Sequence, residues 1–443
     1  MKLYTLMSLY LLLALSCGSA LAQPRFPLRV SDNRRYFVDQ NNKPFLYNAD
    51  TGWQIYVKLT TAEARYYLMH RKSQGFNTIQ TQLAMDPAQV NRDGYPIFDN
   101  NNDFSKPNKA YHDHVARVIA LADSLNLLIV MSQPWLGCCE EAFGNRADKP
   151  IQANGTAKNR GYGQWLGRRF AGFDNLFWII GGDNDPKGDR AELVAFAEGL
   201  HETAPAHQLL TYHASPPHSS TDLFQYADWL GFSMIYTYWR DKPGEWVNPQ
   251  YMMEAYEAAL REYNKSDVMP FILGESQYEG FEGNDIGTPH QVRRQPWWTI
   301  LCGGAGHAYG SRLWYFPDNW RDMIDYPGSY QLKHFIDFFE QLDWWTLVPD
   351  QRHKLVVAGY GQFMKPNYVA AALSQDGELA VAYLPERTTL VVDFARMAGA
   401  QIEAQWYNPI TGEYSEAGRF PTDRLAQLTP PGNQDWALLL QTR

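Results

Sequence analysis

From about Phe45 to Leu347 the chain repeats one unit, a short apolar run followed by a stretch with apolar residues at helical spacing. Parallel strands need a crossover between them, so this alternation builds βα units around a parallel sheet. The strand candidates are Phe45–Asn48, Thr78–Leu83, Leu127–Gln133, Leu176–Gly181, Leu209–His213, Trp229–Tyr236, Pro270–Gly274 and Ser311–Phe316. About eight such strands close a (β/α)8 TIM barrel. Helical periodicity is plain in Val115, Val118, Ile119, Ala122 and Leu125, and again in Leu332, Phe335, Ile336 and Phe339. Thr60-x-x-Glu63 and Asp189-x-x-Glu192 read as capping boxes, and Asn248-Pro249 and Thr288-Pro289-x-Gln291 as helix starts. An open doubly wound sheet would use the same alternation, but no G-x-G-x-x-G follows the first strand.

After Pro349 the pattern becomes all strand. Closely spaced runs with turn signals at Asp376-Gly377 and Asn408-Pro409-x-Thr411-Gly412 predict a small β-sandwich. The expected layout is a barrel over 23–348 and a sandwich over 349–443, with residues 27–46 as a hairpin capping the barrel's N-terminal end. Residues 1–22 read as an export signal: Lys2, the apolar run Leu3–Leu15, then Ala20-Leu21-Ala22. Cys17, after Ala14-Leu15-Ser16, offers the alternative of a lipoprotein box and a membrane tether, but the A-x-A site fits better.

A net charge of −9 leaves no basic footprint for nucleic acid. Aromatic residues make up 14% of the chain, with 15 Trp, which suits a large core or stacking surfaces for flat ligands such as sugars. Past the signal, Cys138, Cys139 and Cys302 form no disulfide framework; the adjacent pair reads as two buried thiols, with a vicinal bridge as the alternative. No zinc-ligand spacing occurs, and His112-Asp-His114, with i and i+2 on different helix faces, is expected on the surface. No metal or cofactor is expected.

Barrel active sites lie at the C-terminal strand ends. Two carboxylates stand there, each after an apolar run and a Gly: Asp183 after the fourth strand and Glu275 after the seventh. Across one mouth such a pair can serve as acid/base and nucleophile in glycoside hydrolysis. Asp185 is the rival to Asp183, but it precedes Pro186 and reads as a turn residue. The other strand ends suit hydroxyl and ring contacts with a sugar: Asp50 and Trp53, Gln82, Gln133 and Trp135, His213, Tyr236, Tyr238, Trp239 and Trp314. Trp297-Trp298 and Trp344-Trp345 are expected to pack in the core.

The segments Arg35-Tyr-Phe-Val-Asp39, Asn48-Ala-Asp50-Thr-Gly-Trp53, Gly75-Phe-Asn77-Thr-Ile-Gln80, Gly181-Gly-Asp183-Asn184-Asp185 and Gly274-Glu275 together resemble the apiosidase-like glycoside hydrolases. The tail around Trp406-Tyr-Asn408-Pro-x-Thr-Gly412 looks like the β-sandwich that often follows that barrel and carries a collagen-binding label. The resemblance implies a retaining hydrolase with Asp183 as acid/base and Glu275 as nucleophile. It further implies plant-type polysaccharide side chains as substrate, including apiose on pectin (rhamnogalacturonan-II). Most of the wider clan has Asn-Glu where Gly182-Asp183 stands here, so the shorter acid agrees with the narrower group. A carbohydrate- or matrix-binding protein without catalysis is the competing expectation.

Overall fold

The computed structural model describes residues 25–100, 102–238, 252–280 and 287–443. The expected export signal, Cys17, Trp239 and the expected Asn248-Pro249 helix start lie outside these residues.

Eight parallel strands form the first sheet: β1 (Tyr47–Thr51), β2 (Thr78–Gln82), β3 (Leu128–Ser132), β4 (Leu176–Gly181), β5 (Leu210–His213), β6 (Ser233–Tyr236), β7 (Phe271–Glu275) and β8 (Gly306–Tyr309). Hydrogen-bonded neighbours run β5-β4-β3-β2-β1-β8-β7-β6. Between β5 and β6 the ring is closed by Gly231 N–H donating to Leu210 O at 2.8 Å, and by Thr211 Oγ1 on Phe232 O at 2.7 Å. The result is a nearly closed TIM barrel. Leu128, Val130, Phe177, Ile179, Met234 and Ile272 fill its interior, while the alternate residues Ile129, Met131, Trp178 and Ile180 face the helices.

Three short antiparallel strands, Arg29–Val30, Phe37–Val38 and Pro44–Phe45, plug the end where the strands begin. Phe37 enters far enough to meet the rings of Phe177 at 5.8 Å and Phe232 at 5.5 Å.

Three strands differ from expectation, the sixth by beginning at Ser233 and not at Trp229. The first begins at Tyr47, because Pro44 and Phe45 pair with Val38 and Phe37 in the plug. The eighth is Gly306–Tyr309, not Ser311–Phe316. Its polar and small residues hide it in sequence, and Gly306 is required because a Cβ there would stand 2.1 Å from Tyr47 O. Ser311 instead caps a 3-10 turn over Arg312–Tyr315, which carries Trp314. Thr60–Glu63 and Thr288–Gln291 do form capping boxes, whereas Asp189 makes no side-chain cap and accepts Lys187 N–H. His112 and His114 are buried, contrary to expectation, because a helix packs on each flank of Lys109–Ser124. His112 meets Trp165 at 4.7 Å, and His114 faces Thr61 of the preceding helix.

Beyond the barrel lie a six-stranded and a three-stranded antiparallel sheet, with Leu384, Leu390, Val392, Phe394, Ile402 and Trp406 between them. The opposite face of the larger sheet merges with the barrel's helices. Trp297 stacks on Tyr383 at 5.4 Å, and Trp298 Nε1–H donates to Tyr368 O at 3.0 Å. Arg293 grips Asp435 with two hydrogen bonds, at 2.9 and 2.5 Å, and Tyr383 donates to the same carboxylate at 2.8 Å. Both charged side chains are at most 3% exposed. Removing one partner of a buried pair strands the other charge, so Asp435→Ala should cost about 3–5 kcal/mol. Urea unfolding of the whole chain measures that loss.

Candidate active site

Asp183 follows β4 in a tight turn. Its φ is +52°, and Asn184 N–H bonds back to Gly182 O. Gly182 is needed because a Cβ there would come within 2.2 Å of the Trp135 ring. A non-Gly residue held in the left-handed region beside a ring wall is a strained position of the sort found at functional sites. Glu275 ends β7 where the register with β6 slips between Leu273 and Glu275. A bulge re-aims the side chain that follows it, and Gly274 permits this one because Met234 occupies the space its Cβ would need.

His213, at the end of β5, lies between the two carboxyls. Its Nδ1 accepts the Asp183 backbone N–H at 2.7 Å, so the ring proton sits on Nε2 and is donated to Glu275 Oε2 at 2.7 Å. Burial among Trp53, Trp135 and Tyr236 lowers its pKa to about 4, so the ring is neutral at neutral pH. One oxygen each of Asp183 and Glu275 and one nitrogen of His213 lie within 4.8 Å of one another. Such a trio could ligate a metal, but both nitrogens of His213 are already engaged in hydrogen bonds. The arrangement is a relay joining the backbone of one carboxylate residue to the side chain of the other.

Burial pushes the Asp183 carboxyl up to about 7, with the charge of Glu275 adding to the rise. Cys138 N–H (2.9 Å to Oδ2) and the Tyr236 hydroxyl oppose it. Glu275 is also pushed up by burial, to about 8, against a hydrogen bond from Tyr278. Two buried carboxyls this close share one proton near neutrality and titrate as a pair. Glu275 receives both the His213 and the Tyr278 protons, whereas Asp183 Oδ1 is buried without a protein partner. Burial raises Glu275 the further of the two, while the unpartnered Asp183 Oδ1 leaves that carboxyl an oxygen on which the shared proton can sit.

Both carboxyls open onto a cavity of about 490 Å³ at the C-terminal strand ends. Of the residues expected there, Trp53, Gln82, Trp135, Tyr236, Tyr238 and Trp314 line it. Trp53 and Trp135 pack at 5.2 Å, and Trp53 Nε1–H donates to Tyr278 OH at 2.7 Å. Gln82 is held through its carbonyl by Gln54 at 2.8 Å, and the Tyr236 and Tyr238 hydroxyls meet at 2.7 Å.

Three expected contacts are placed elsewhere. Asp50 lies within β1 and faces the helices, where Tyr67 donates to it and Arg71 Nε pairs with it at 2.7 Å. Gln133 is fully buried off the cavity wall. His213 sits behind the carboxyls rather than on the wall. Asp185 is turned away as well, onto His218 at 2.7 Å and Ser215 N–H at 2.9 Å.

Sequence reading missed Cys138, Asn145, Asn184, Gln277 and Tyr278, which also line the cavity. Asn184 and Tyr278 were within reach of it, next to Asp183 and three residues past Glu275. Asn145 belongs to a loop with no such signal. Cys138 and Cys139 are exposed rather than buried, because their loop forms the rim of the cavity.

A barrel of this form with opposed carboxyls above its mouth is that of a glycoside hydrolase. Residues 31–346 match the family model described as "Apiosidase-like, catalytic domain", and residues 348–441 match "Putative collagen-binding domain of a collagenase". The chain belongs to the apiosidase-like family. Among solved structures it resembles one described as a glycoside hydrolase, with a TM-score of 0.83 and 23% identity over 95% of this chain and 98% of that one. A glycoside hydrolase family 5 protein from Bacteroides vulgatus is similar at a TM-score of 0.83 and 22% identity, over 94% and 93% of the two chains. These likenesses are of fold. No curated protein matches the chain in sequence.

The raised carboxyls carry a stability signature. An acid whose pKa is higher folded than unfolded (about 3.9 for free Asp) holds its proton more tightly when folded. The folded state then loses stability as pH rises from the unfolded value to the folded one. Asp183→Asn removes that loss, so the variant should melt higher than wild type at pH 8. The gap should close as the pH is lowered towards 4. Thermal melts across that range check it, and a pH-independent gap contradicts the raised acid.

Proposed function

We propose that this chain is an exported, retaining glycoside hydrolase in which Asp183 is the acid/base and Glu275 the nucleophile. The observation that carries the reading is the carboxyl pair across the barrel mouth, with oxygens within 4.8 Å. Retention calls for carboxyls about 5–5.5 Å apart, whereas inversion needs about 6.5–9.5 Å to admit a water. In the first step Asp183 gives its proton to the leaving oxygen while ionised Glu275, steadied by His213 and Tyr278, attacks the anomeric carbon. In the second, a water oxygen bonds to the anomeric carbon and gives its proton to Asp183 as the glycosyl–Glu275 bond breaks.

The substrate we infer is a neutral sugar on a plant-type polysaccharide side chain, with apiose on pectin (rhamnogalacturonan-II) as the leading case. The family description supports apiose. Among the described residues, no Lys or Arg lines the cavity, which suits an uncharged ring packed on Trp and Tyr faces. The pattern of residues 1–22 supports export.

Glu275→Gln and Asp183→Asn should each lower kcat by ~10²–10⁴ with the fold intact. Azide should restore turnover to Glu275→Ala by forming a glycosyl azide of inverted configuration. Incubation with rhamnogalacturonan-II and a panel of plant glycans, with identification of the released sugar, tests the substrate. Wild-type rates in both carboxyl variants would overturn the assignment.

A further inference from the structure

The rim of the cavity carries two adjacent free thiols, and one of them belongs to the residue that touches Asp183. Cys138 lines the cavity and gives its backbone N–H to Asp183 Oδ2 at 2.9 Å. The two adjacent thiols act on each other's ionisation, Cys138 being raised and Cys139 lowered by its neighbour. Cys139 holds a left-handed φ of +86°, and its carbonyl accepts from Asn145 Nδ2 at 3.0 Å and Ala142 N–H at 3.2 Å. Asn145 is itself on the cavity wall. The loop has no slack against the acid, since a Cβ on Gly137 would stand 1.9 Å from Asp183 Cβ.

We propose that Cys138 and Cys139 form a modification site, a dithiol that oxidises reversibly to a vicinal bridge and thereby alters how Asp183 is held. The proposal rests on the acid/base role assigned to Asp183 above. A bridge between neighbours closes a small ring containing their shared peptide. The ψ of Cys138 and the φ of Cys139 lie in that ring, and the Cys138 N–H is attached to it at Cα138, so closure turns this donor relative to Asp183. Asp183 is also faced by Glu275, His213 and Tyr236, and Cys139 by Glu141. None of these occupies the position from which Cys138 N–H holds Oδ2.

The chemistry balances with a low-molecular-weight disulfide as oxidant. The Cys139 thiolate attacks one sulfur of the disulfide, whose S–S bond breaks to release one thiolate. The Cys138 thiolate then attacks the mixed disulfide and releases the second. Two electrons pass to the oxidant, which leaves as two thiols carrying the two cysteine protons. Contact with Cys138 lowers the Cys139 thiol, which favours Cys139 as the first attacker.

The test treats the full chain with glutathione disulfide and then with dithiothreitol, following intact mass, kcat and the pH profile. The bridged protein should lose two hydrogens in mass and fall roughly tenfold in kcat, the order of effect of losing one hydrogen bond that positions the acid. The basic limb of its profile should move to higher pH, because the lost N–H had favoured ionised Asp183. Dithiothreitol should reverse all three changes. Cys139→Ser should keep the reduced kcat and show neither the mass loss nor the shifted limb.

A protein shown by mass to be bridged yet unchanged in kcat and profile overturns the proposal, as does failure to bridge. If Asp183→Asn is inactive while bridging changes nothing, only this inference falls. If Asp183→Asn is fully active, the assignment of the acid falls first.

Discussion

The candidate site depends on one neutral imidazole. His213 accepts a backbone N–H from the Asp183 turn and hands its own proton to Glu275, each at 2.7 Å. This tautomer is enforced, since a donor already occupies Nδ1. A protonated ring would disrupt the Asp183 backbone contact and a displaced ring would leave Glu275 with less support, so the geometry of both carboxyls passes through one side chain. Burial by Trp53, Trp135 and Tyr236 keeps the ring uncharged, and the same low-polarity surroundings raise both acids. Aromatic packing and acid–base tuning are thus one feature with two effects. The glycines at 137, 182 and 274 allow it by letting loop, turn and strand approach more closely than any side chain would permit.

The second domain is continuous with the barrel in packing. One apolar cluster contains Trp297, Trp298, Phe335 and Phe339 from the barrel's helices together with Tyr368, Val381, Tyr383 and Leu439 from the sandwich. At its edge the Arg293–Asp435 pair is at most 3% exposed. Desolvating such a pair is costly unless its hydrogen bonds are satisfied, and Tyr383 and Gln331 supply the remaining partners. The sandwich therefore acts as a wall for the helices behind β7 and β8, the sector of the barrel that carries Glu275.

Most of the barrel was legible because aliphatic β3, β4 and β7 are buried on both faces and read as unbroken apolar runs. The strand that escaped, Gly306–Tyr309, presents a His and a Tyr to the helices and only small residues elsewhere. Its strand character comes from pairing with β1 and β7, not from its own composition. His112 and His114 were misplaced for a related reason. Periodicity gives the faces of a helix, but not which neighbouring helices flank it.

Within the site, the carboxylates and most of the aromatic lining could be read from strand ends, because a barrel's topology delivers those positions to one mouth whatever the sequence between them. Asp50 and Gln133 obey the same rule of position yet leave the cavity, since alternation along a strand sends a neighbouring residue to the opposite face. The direction of each side chain, the tautomer of His213 and the approach of the Cys138 loop to Asp183 depend on contacts between residues tens of positions apart. One-dimensional order holds the period, the turn chemistry and the identity of the reacting groups. Distances, desolvation and protonation arise only when separate strand ends converge, because they are properties of pairs.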